Sequence, residues 1–165
     1  MAGHIIYVHT TVEATPEMVW DVLTDVGRAD QVFRSVKRSE RLTDGPFDVG
    51  TRWREERTLF GHHGPEEREV LECESPRRLV VETTVGHDVV HTSCRITPFG
   101  AGSDRTRLAM TTRLDTSHRS GLGKLEWAVL GGHSYEATRK ILQHDIEDIE
   151  AEVRRRVGGA GRHAA

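Results

Sequence analysis

The stretch that decides the fold is residues 135–156, YEATRKILQHDIEDIEAEVRRR. Apolar residues recur in it at three- and four-residue steps, namely Leu142, Ile146, Ile149 and Val153. This spacing predicts a helix with one apolar stripe. About 22 helical residues would span roughly 33 Å. A helix of that length must lie across another element to cover its stripe, and Gly158–Gly159 is expected to end it.

Upstream of this helix, the sequence has the pattern of strands separated by turns. The strands are expected at His4–Val12, Val36–Leu42, Thr51–Phe60, Glu67–Cys73, Arg78–Val85, Val89–Thr97 and Thr106–Leu114. Gly- and Pro-containing turns separate most of them, among them Gly61–Pro65 and Gly86–Asp88. Strands joined by short turns, with no helices between them, predict an antiparallel meander.

Two short helices are expected between the first two strands. Thr15 suits the N-cap and Pro16 the first helical position, with the helix ending near Asp25. A second helical turn is expected over Arg28–Phe33. The chain is therefore predicted to be α+β: an antiparallel sheet of six to seven strands wrapped around a long C-terminal helix.

The last third of the chain contains one further predicted break. Gly131–Gly132 is expected to separate a shorter helical segment, Leu122–Leu130, from the long helix and to act as a hinge for a lid. The length of 165 residues is that of one domain. We therefore predict a single domain over residues 1–157 and a disordered tail over 158–165.

Composition excludes several classes of protein. The net charge of −3 lacks the basic balance of a nucleic-acid binder, and 5 % aromatic residues provide no array of base-stacking platforms. Cys73 and Cys94 are interpreted as buried free thiols rather than a disulfide framework. No stretch resembles a signal peptide or approaches the ~18 apolar residues of a membrane helix. A cytoplasmic protein with no membrane span is expected.

Several stretches resemble the superfamily of START-type lipid-binding domains, polyketide cyclases and birch-pollen-allergen-like proteins (SRPBCC). They are Ala14–Asp25, Val49–Arg54, Glu74–Leu79, Gly102–Leu108 and Gln143–Glu150. Together with the order of elements, the resemblance covers about residues 4–156. It implies the helix-grip fold with an internal cavity, in a family that includes carriers, cyclases, hydrolases and receptors.

The strand Thr51–Phe60 carries the most informative candidate site. Alternate strand residues share a face, so a face with Trp53 and Leu59 inward also takes Glu55 and Arg57 inward. A buried Glu–Arg pair destabilises unless it is well paired or faces a wet cavity. It is therefore either a polar group that orients a ligand or a salt bridge at the rim of the sheet, screened by water.

Three other strands are expected to complete the wall of a cavity. Their inward residues are Leu79, Val81, Thr83, Val90, Thr92, Cys94, Ile96, Leu108, Met110, Thr112 and Leu114. The threonines make this face more polar than a sealed core requires. From the helical side, Trp127, Leu130, Ser134 and Tyr135 are expected near the mouth, where the aromatic rings suit core and ligand contact equally. The predicted ligand-binding residues are Trp53, Leu59, Val81, Thr83, Thr92, Cys94, Met110, Thr112, Trp127, Leu130, Ser134 and Tyr135.

The histidines do not predict a metal site. His87 and His91 have the spacing of two zinc ligands on a helix, but they lie in strand-like sequence. Four residues of extended strand span about 13 Å, too far for one ion. His62 and His63 lie in a Gly-rich turn, where exposure to solvent explains them. We expect neither a metal nor a cofactor.

These observations lead to one functional expectation and two alternatives. The expectation is binding of a small hydrophobic molecule, lipid-like or polyketide-like, in the internal cavity. The first alternative is a cyclase or dehydratase that uses the same cavity, with Glu55 as general acid–base and Arg57 steadying a carbonyl or enolate. The second is a protein-interaction module that docks through the C-terminal helix. The sequence leaves the oligomeric state open, a homodimer included.

Overall fold

The computed structural model describes the backbone of residues 4–60, 62–85, 88–102, 104–115 and 121–160, and the side chains of these ranges except 4, 121–134 and 160. The strands are β1 His4–Val12, β2 Arg38–Arg41, β3 Arg52–Leu59, β4 His62–Glu74, β5 Arg78–Val85, β6 Asp88–Phe99 and β7 Arg105–Asp115. The helices are α1 Pro16–Thr24, α2 Ala29–Val32 and α3 Gly121–Ala160. A 3₁₀ turn, Val26–Arg28, joins α1 to α2.

The seven strands form one sheet in the order β1-β7-β6-β5-β4-β3-β2. All six neighbouring pairs are antiparallel. Because each strand after β2 pairs with the next one along the chain, β2 to β7 form a meander, and β1 closes onto β7. The predicted α+β helix-grip architecture, with two short helices after the first strand, is confirmed.

The apolar stripe of α3 packs onto the inward face of the sheet, as its spacing predicts. Ile146, Ile149 and Val153 are fully buried, and Leu142 is 4 % exposed. Each such side chain stabilises the fold by about 1.5–3 kcal/mol through its removal from water. The α1 helix starts at Pro16 and adds Val19, Val22 and Trp20 to the same core. Thr15 holds the N-cap position, but its side chain makes no capping hydrogen bond.

The predicted break at Gly131–Gly132 is wrong. The α3 helix is continuous through both glycines, so Leu122–Leu130 is not a separate segment and the pair provides no hinge for a lid. A glycine weakens a helix by about 1 kcal/mol relative to alanine, yet it keeps the N–H group that a proline removes. The same reasoning explains the C-terminus, where the helix continues through Gly158–Gly159 to Ala160.

Some strand boundaries also differ from the prediction. Strand β4 begins at His62 instead of Glu67, because His62 and His63 pair with the end of β3. The predicted turn Gly61–Pro65 therefore lies mostly within a strand, and Phe60 makes the reversal with a positive φ of 48°. Strand β2 is shorter than predicted. None of the helices in the described part of the chain is long and apolar enough to cross a membrane.

Candidate functional site

The β3 strand places two charged side chains inside the protein, as its alternation predicts. Trp53, Glu55 and Leu59 are each 4 % exposed, and Arg57 is 5 % exposed. The residues between them face outward and form exposed ion pairs, for example Arg54 with Glu67. Burial of the Glu–Arg pair excludes the salt bridge at the sheet rim.

Arg57 is tied to the C-terminal helix. Its Nη2 lies 2.5 Å from Oδ2 of Asp145 and also donates to the hydroxyl of Ser35. Ser35 in turn donates to Oδ1 of Asp145 over 2.7 Å. Both Arg57 and Asp145 are about 4 % exposed at the side chain. Because β3, α3 and the segment after α2 all contribute, this contact joins three parts of the fold.

Glu55 lies between two guanidinium groups. Its Oε1 accepts a hydrogen bond from the indole Nε1 of Trp53 over 2.8 Å. Its Oε2 is 3.6 Å from Nη1 of Arg57 and 3.3 Å from Nε of Arg68. These contacts hold the carboxylate in place between β3 and β4.

A second carboxylate faces Glu55 from the next strand. Glu55 and Glu66 are direct partners in the β3–β4 ladder, and Glu66 is fully buried. Its Oε2 lies 3.4 Å from Nη2 of Arg68, while its Oε1 has no hydrogen-bond partner. Burial raises the pKa of Glu66 to about 7, the Arg68 and Arg57 charges oppose that shift, and the Glu55 charge adds to it.

Together these side chains form what we term the charged cluster: Glu55, Arg57, Glu66, Arg68 and Asp145. Arg57 is held by Asp145, whereas the contacts of Arg68 are longer, and its side chain, at 14 % exposed, is the most accessible of the five. Arg68 can therefore donate hydrogen bonds to a further group. Glu66, with its pKa near neutrality, can give up or accept a proton there.

Apart from Asp88, the rest of the inward face is apolar with interspersed threonines, on the side of the sheet that strand alternation predicts. Its buried members are Leu79, Val81, Thr83, Val90, Cys94, Ile96, Leu108, Met110, Thr112 and Leu114. Thr92 shares this face but is only half-buried, unlike Val90 and Cys94 beside it. Its hydroxyl lies 3.1 Å from that of Thr112. Burial raises the pKa of the Cys94 thiol to about 12, so this thiol is unreactive at neutral pH.

On the helical side, one predicted contact residue can be placed. The side chains of Trp127, Leu130 and Ser134 lie outside the described residues. The hydroxyl of Tyr135 donates to the carbonyl of Ile5 on β1 over 2.9 Å, and the residue packs against the hydrophobic core. Three residues later, the Thr138 hydroxyl accepts the backbone N–H of Phe60, which fixes the end of β3 to α3.

Two of the histidines considered in the sequence, His63 and His91, contact residues outside the charged cluster. His62 and His63 lie on β4, and Nδ1 of His63 is 2.9 Å from the hydroxyl of Thr58. His91 pairs with Glu82, and His87 falls outside the described residues. Over the ranges given above, no three histidine, cysteine or acidic side chains come together as metal ligands.

Sequence reasoning missed Glu66, Arg68, Asp145 and Ser35. The first two carry a usable signal, because they alternate with the buried Val70. Glu66 lies outside the predicted strand, which begins at Glu67, whereas Arg68 lies inside it and shares its parity with Val70. Asp145 lies next to Ile146 on the stripe that the helix buries, so its position also signals burial. Ser35 lies in a connecting segment whose approach to Asp145 no local pattern indicates.

Comparison with known proteins places the chain in a family. Residues 4–157 match the family described as polyketide cyclase/dehydrase and lipid transport, and the chain belongs to that family. No curated protein sequence matches the chain.

Solved structures agree on the fold. The Zhui aromatase/cyclase from Streptomyces sp. R1128 is similar, with a TM-score of 0.78 and 20% identity over 97% of this chain and 99% of that one. A protein from Thermus thermophilus has a TM-score of 0.74 and 15% identity over 91% and 97% of the two chains. A START superfamily protein from Mycobacterium smegmatis has a TM-score of 0.60 and 19% identity over 89% and 99%.

Proposed function

We propose that the chain binds a small, mainly apolar molecule between the sheet and α3, with the charged cluster holding its polar end. The observation that carries this proposal is the uneven inward face. Strands β5 to β7 present mainly apolar side chains and threonines, with one carboxylate, Asp88, at the start of β6, whereas β3 and β4 present several buried charges with unpartnered atoms such as Glu66 Oε1. A few polar groups converging on an apolar wall are the typical lining of a ligand site.

Two further observations support a ligand over a core built only for stability. Buried ion pairs are often less stabilising than apolar side chains of the same size, so stability alone does not explain the charged cluster. Thr92, near the middle of the inward face, is half-buried although Val90 and Cys94 beside it are buried. The family description, which includes lipid transport, agrees with a mainly apolar ligand. Apolar burial would supply most of the affinity, at about 25 cal/mol per Å².

Titration with Nile red, an uncharged dye that fluoresces in apolar surroundings, tests the proposal. Thr112→Phe would enlarge an inward side chain at the centre of the wall, and we expect it to reduce dye affinity at least tenfold. Thr111→Phe is the matched control, because Thr111 is the outward neighbour on the same strand. Absence of dye binding to the wild type, or equal affinity of both variants, would contradict an interior site.

The second candidate function is that of an enzyme, a cyclase or dehydratase acting in the same interior. A buried carboxyl group with a pKa of about 7 favours it, because such a group transfers protons well at neutral pH. In this function Glu55 and Arg57 remain candidate catalytic residues, and Glu66 joins them as the stronger candidate for the acid–base. Glu66 would take a proton from the carbon between two carbonyl groups, and Arg68 would stabilise the enolate.

Proton exchange distinguishes the enzyme from a carrier. The probe is nonane-2,4-dione, in which C3, the carbon between the two carbonyl groups, exchanges hydrogen for deuterium in heavy water. An enzyme of this type would accelerate the exchange, and Glu66→Gln would remove the acceleration while Nile red still binds. A wild type that binds the diketone without accelerating exchange is a carrier.

A further inference from the structure

The charged cluster is unbalanced. Among the described residues it holds three carboxylates, Glu55, Glu66 and Asp145, and two guanidinium groups, Arg57 and Arg68. One negative charge is therefore left over when all five groups are ionised. In a buried site such a charge is costly unless it is protonated or paired.

The unpartnered atoms show where the imbalance lies. Asp145 uses both oxygens, one toward Arg57 and one toward Ser35. By contrast, Oε1 of Glu66 and Oε2 of Glu55 have no hydrogen-bond partner, although the latter lies near two guanidinium groups. Glu66 is the carboxylate with an oxygen that neither a hydrogen bond nor an ion pair engages.

We propose, on the basis of the function proposed above, that the interior selects its ligand by charge and that Glu66 sets the selection. It takes an apolar molecule whose polar end is uncharged, such as a ketone, an ester or an alcohol, and it rejects the corresponding carboxylate. Arg68 is the anchor for the uncharged end, since it is the guanidinium with the looser contacts.

Like-charge repulsion is the physical basis of the rejection. A carboxylate that reached Arg68 would lie beside Glu66 and Glu55, the two carboxylates that Arg68 already contacts. A further negative charge placed there is repelled by both carboxylates, and this repulsion discriminates against anionic ligands. A neutral carbonyl accepts from Arg68 without this penalty, and protonated Glu66 is a second donor to it.

The selection depends on pH through Glu66. The groups that face it are Arg68 on its own strand, Glu55 and Arg57 on β3, and Asp145 on α3 behind Arg57. A further buried carboxylate, Asp88, lies at the start of β6 and already interacts with another group. Because the pKa of Glu66 is about 7, protonation below that value removes one negative charge from the cluster. Rejection of anions is therefore strongest at alkaline pH.

Displacement of Nile red tests the selection with two matched probes, undecan-2-one and decanoate. Both carry a nonyl chain on a carbonyl carbon, and they differ in the charge of that end. At about pH 8 we expect the ketone to compete at least tenfold more strongly than decanoate. At about pH 6, where decanoate is still mostly ionised, we expect the ratio to fall several-fold.

Two variants assign the effect to Glu66. Glu66→Gln should reduce the preference for the ketone at about pH 8 to the wild-type value at about pH 6, and should remove its pH dependence. Glu67→Gln is the matched control, since Glu67 is the exposed neighbour on the same strand, and it should leave the ratio unchanged. Should Glu66→Gln fail to fold, the pH dependence of the wild type decides.

Each remaining outcome is decisive. Equal or stronger competition by decanoate at about pH 8 would overturn the charge selection and leave the proposed function standing. A preference that is the same at both pH values, or in Glu66→Gln, would overturn the role of Glu66. If neither the dye nor either probe binds, the proposed function fails, and the charge selection fails with it.

Discussion

Replacement of Asp145 by alanine should destabilise the protein strongly, because it leaves Arg57 buried without its main partner. The two side chains are 2.5 Å apart and about 4 % exposed. Breaking such a buried pair from one side costs about 3–5 kcal/mol. Glu55, 3.6 Å from Arg57, still compensates part of the charge. We therefore expect a loss near the lower end, about 3 kcal/mol.

Urea unfolding, followed by tryptophan fluorescence and circular dichroism, measures this loss. The control is Glu147→Ala on the same helix, where the nearest cation, Arg34, is 3.8 Å away and both side chains are about half exposed. An exposed pair of this kind contributes about 0–1 kcal/mol. Restoration of stability in the double variant Arg57→Met/Asp145→Ala would show that the unpaired charge is the cause. Equal losses for Asp145→Ala and Glu147→Ala would refute the reasoning.

Two further predictions concern titratable groups. The pKa of Glu66 is raised from an unfolded value near 4.5 to about 7, so its contribution to stability is complete below about pH 4.5 and is lost as the pH rises to about 7, a change of about 3 kcal/mol. Between about pH 5 and pH 8, the unfolding free energy of the wild type should therefore fall relative to that of Glu66→Gln. A difference between the two proteins that does not change with pH would exclude the raised pKa of Glu66. For Cys94, whose pKa burial raises to about 12, we expect no reaction with a thiol reagent in the native state, while the less buried Cys73 reacts slowly. Rapid modification of Cys94 in the native state would contradict the burial of its thiol.

The sequence predicted the elements whose neighbours in the chain determine them. Period-two alternation placed Trp53, Glu55, Arg57 and Leu59 on one buried face, since a side chain in a strand has only two sides to choose from. The buried face of α3 could also be predicted from the spacing of its apolar residues, because a helix of that length has to bury one face.

The remainder depends on contacts between distant parts of the chain. Strand β4 starts at His62 because it continues the ladder with β3, and no local signal outweighs the glycine and proline in that stretch. Asp145 and Arg57 are 88 positions apart. Burial of each could be inferred from its own element, but their pairing requires the relative placement of helix and sheet. The Gly131–Gly132 prediction was wrong because local propensity is a weak constraint in a long helix.

Native mass spectrometry of freshly purified protein, followed by denaturing extraction, tests the central claim of an interior ligand site most directly. We predict a mass increase that corresponds to one small apolar molecule per chain and that disappears on unfolding. If the protein is purified without a ligand, we predict that added undecan-2-one produces the same one-to-one mass increase. The Thr112→Phe variant should carry less of it than Thr111→Phe. A clean apoprotein that takes up no apolar molecule would contradict the account.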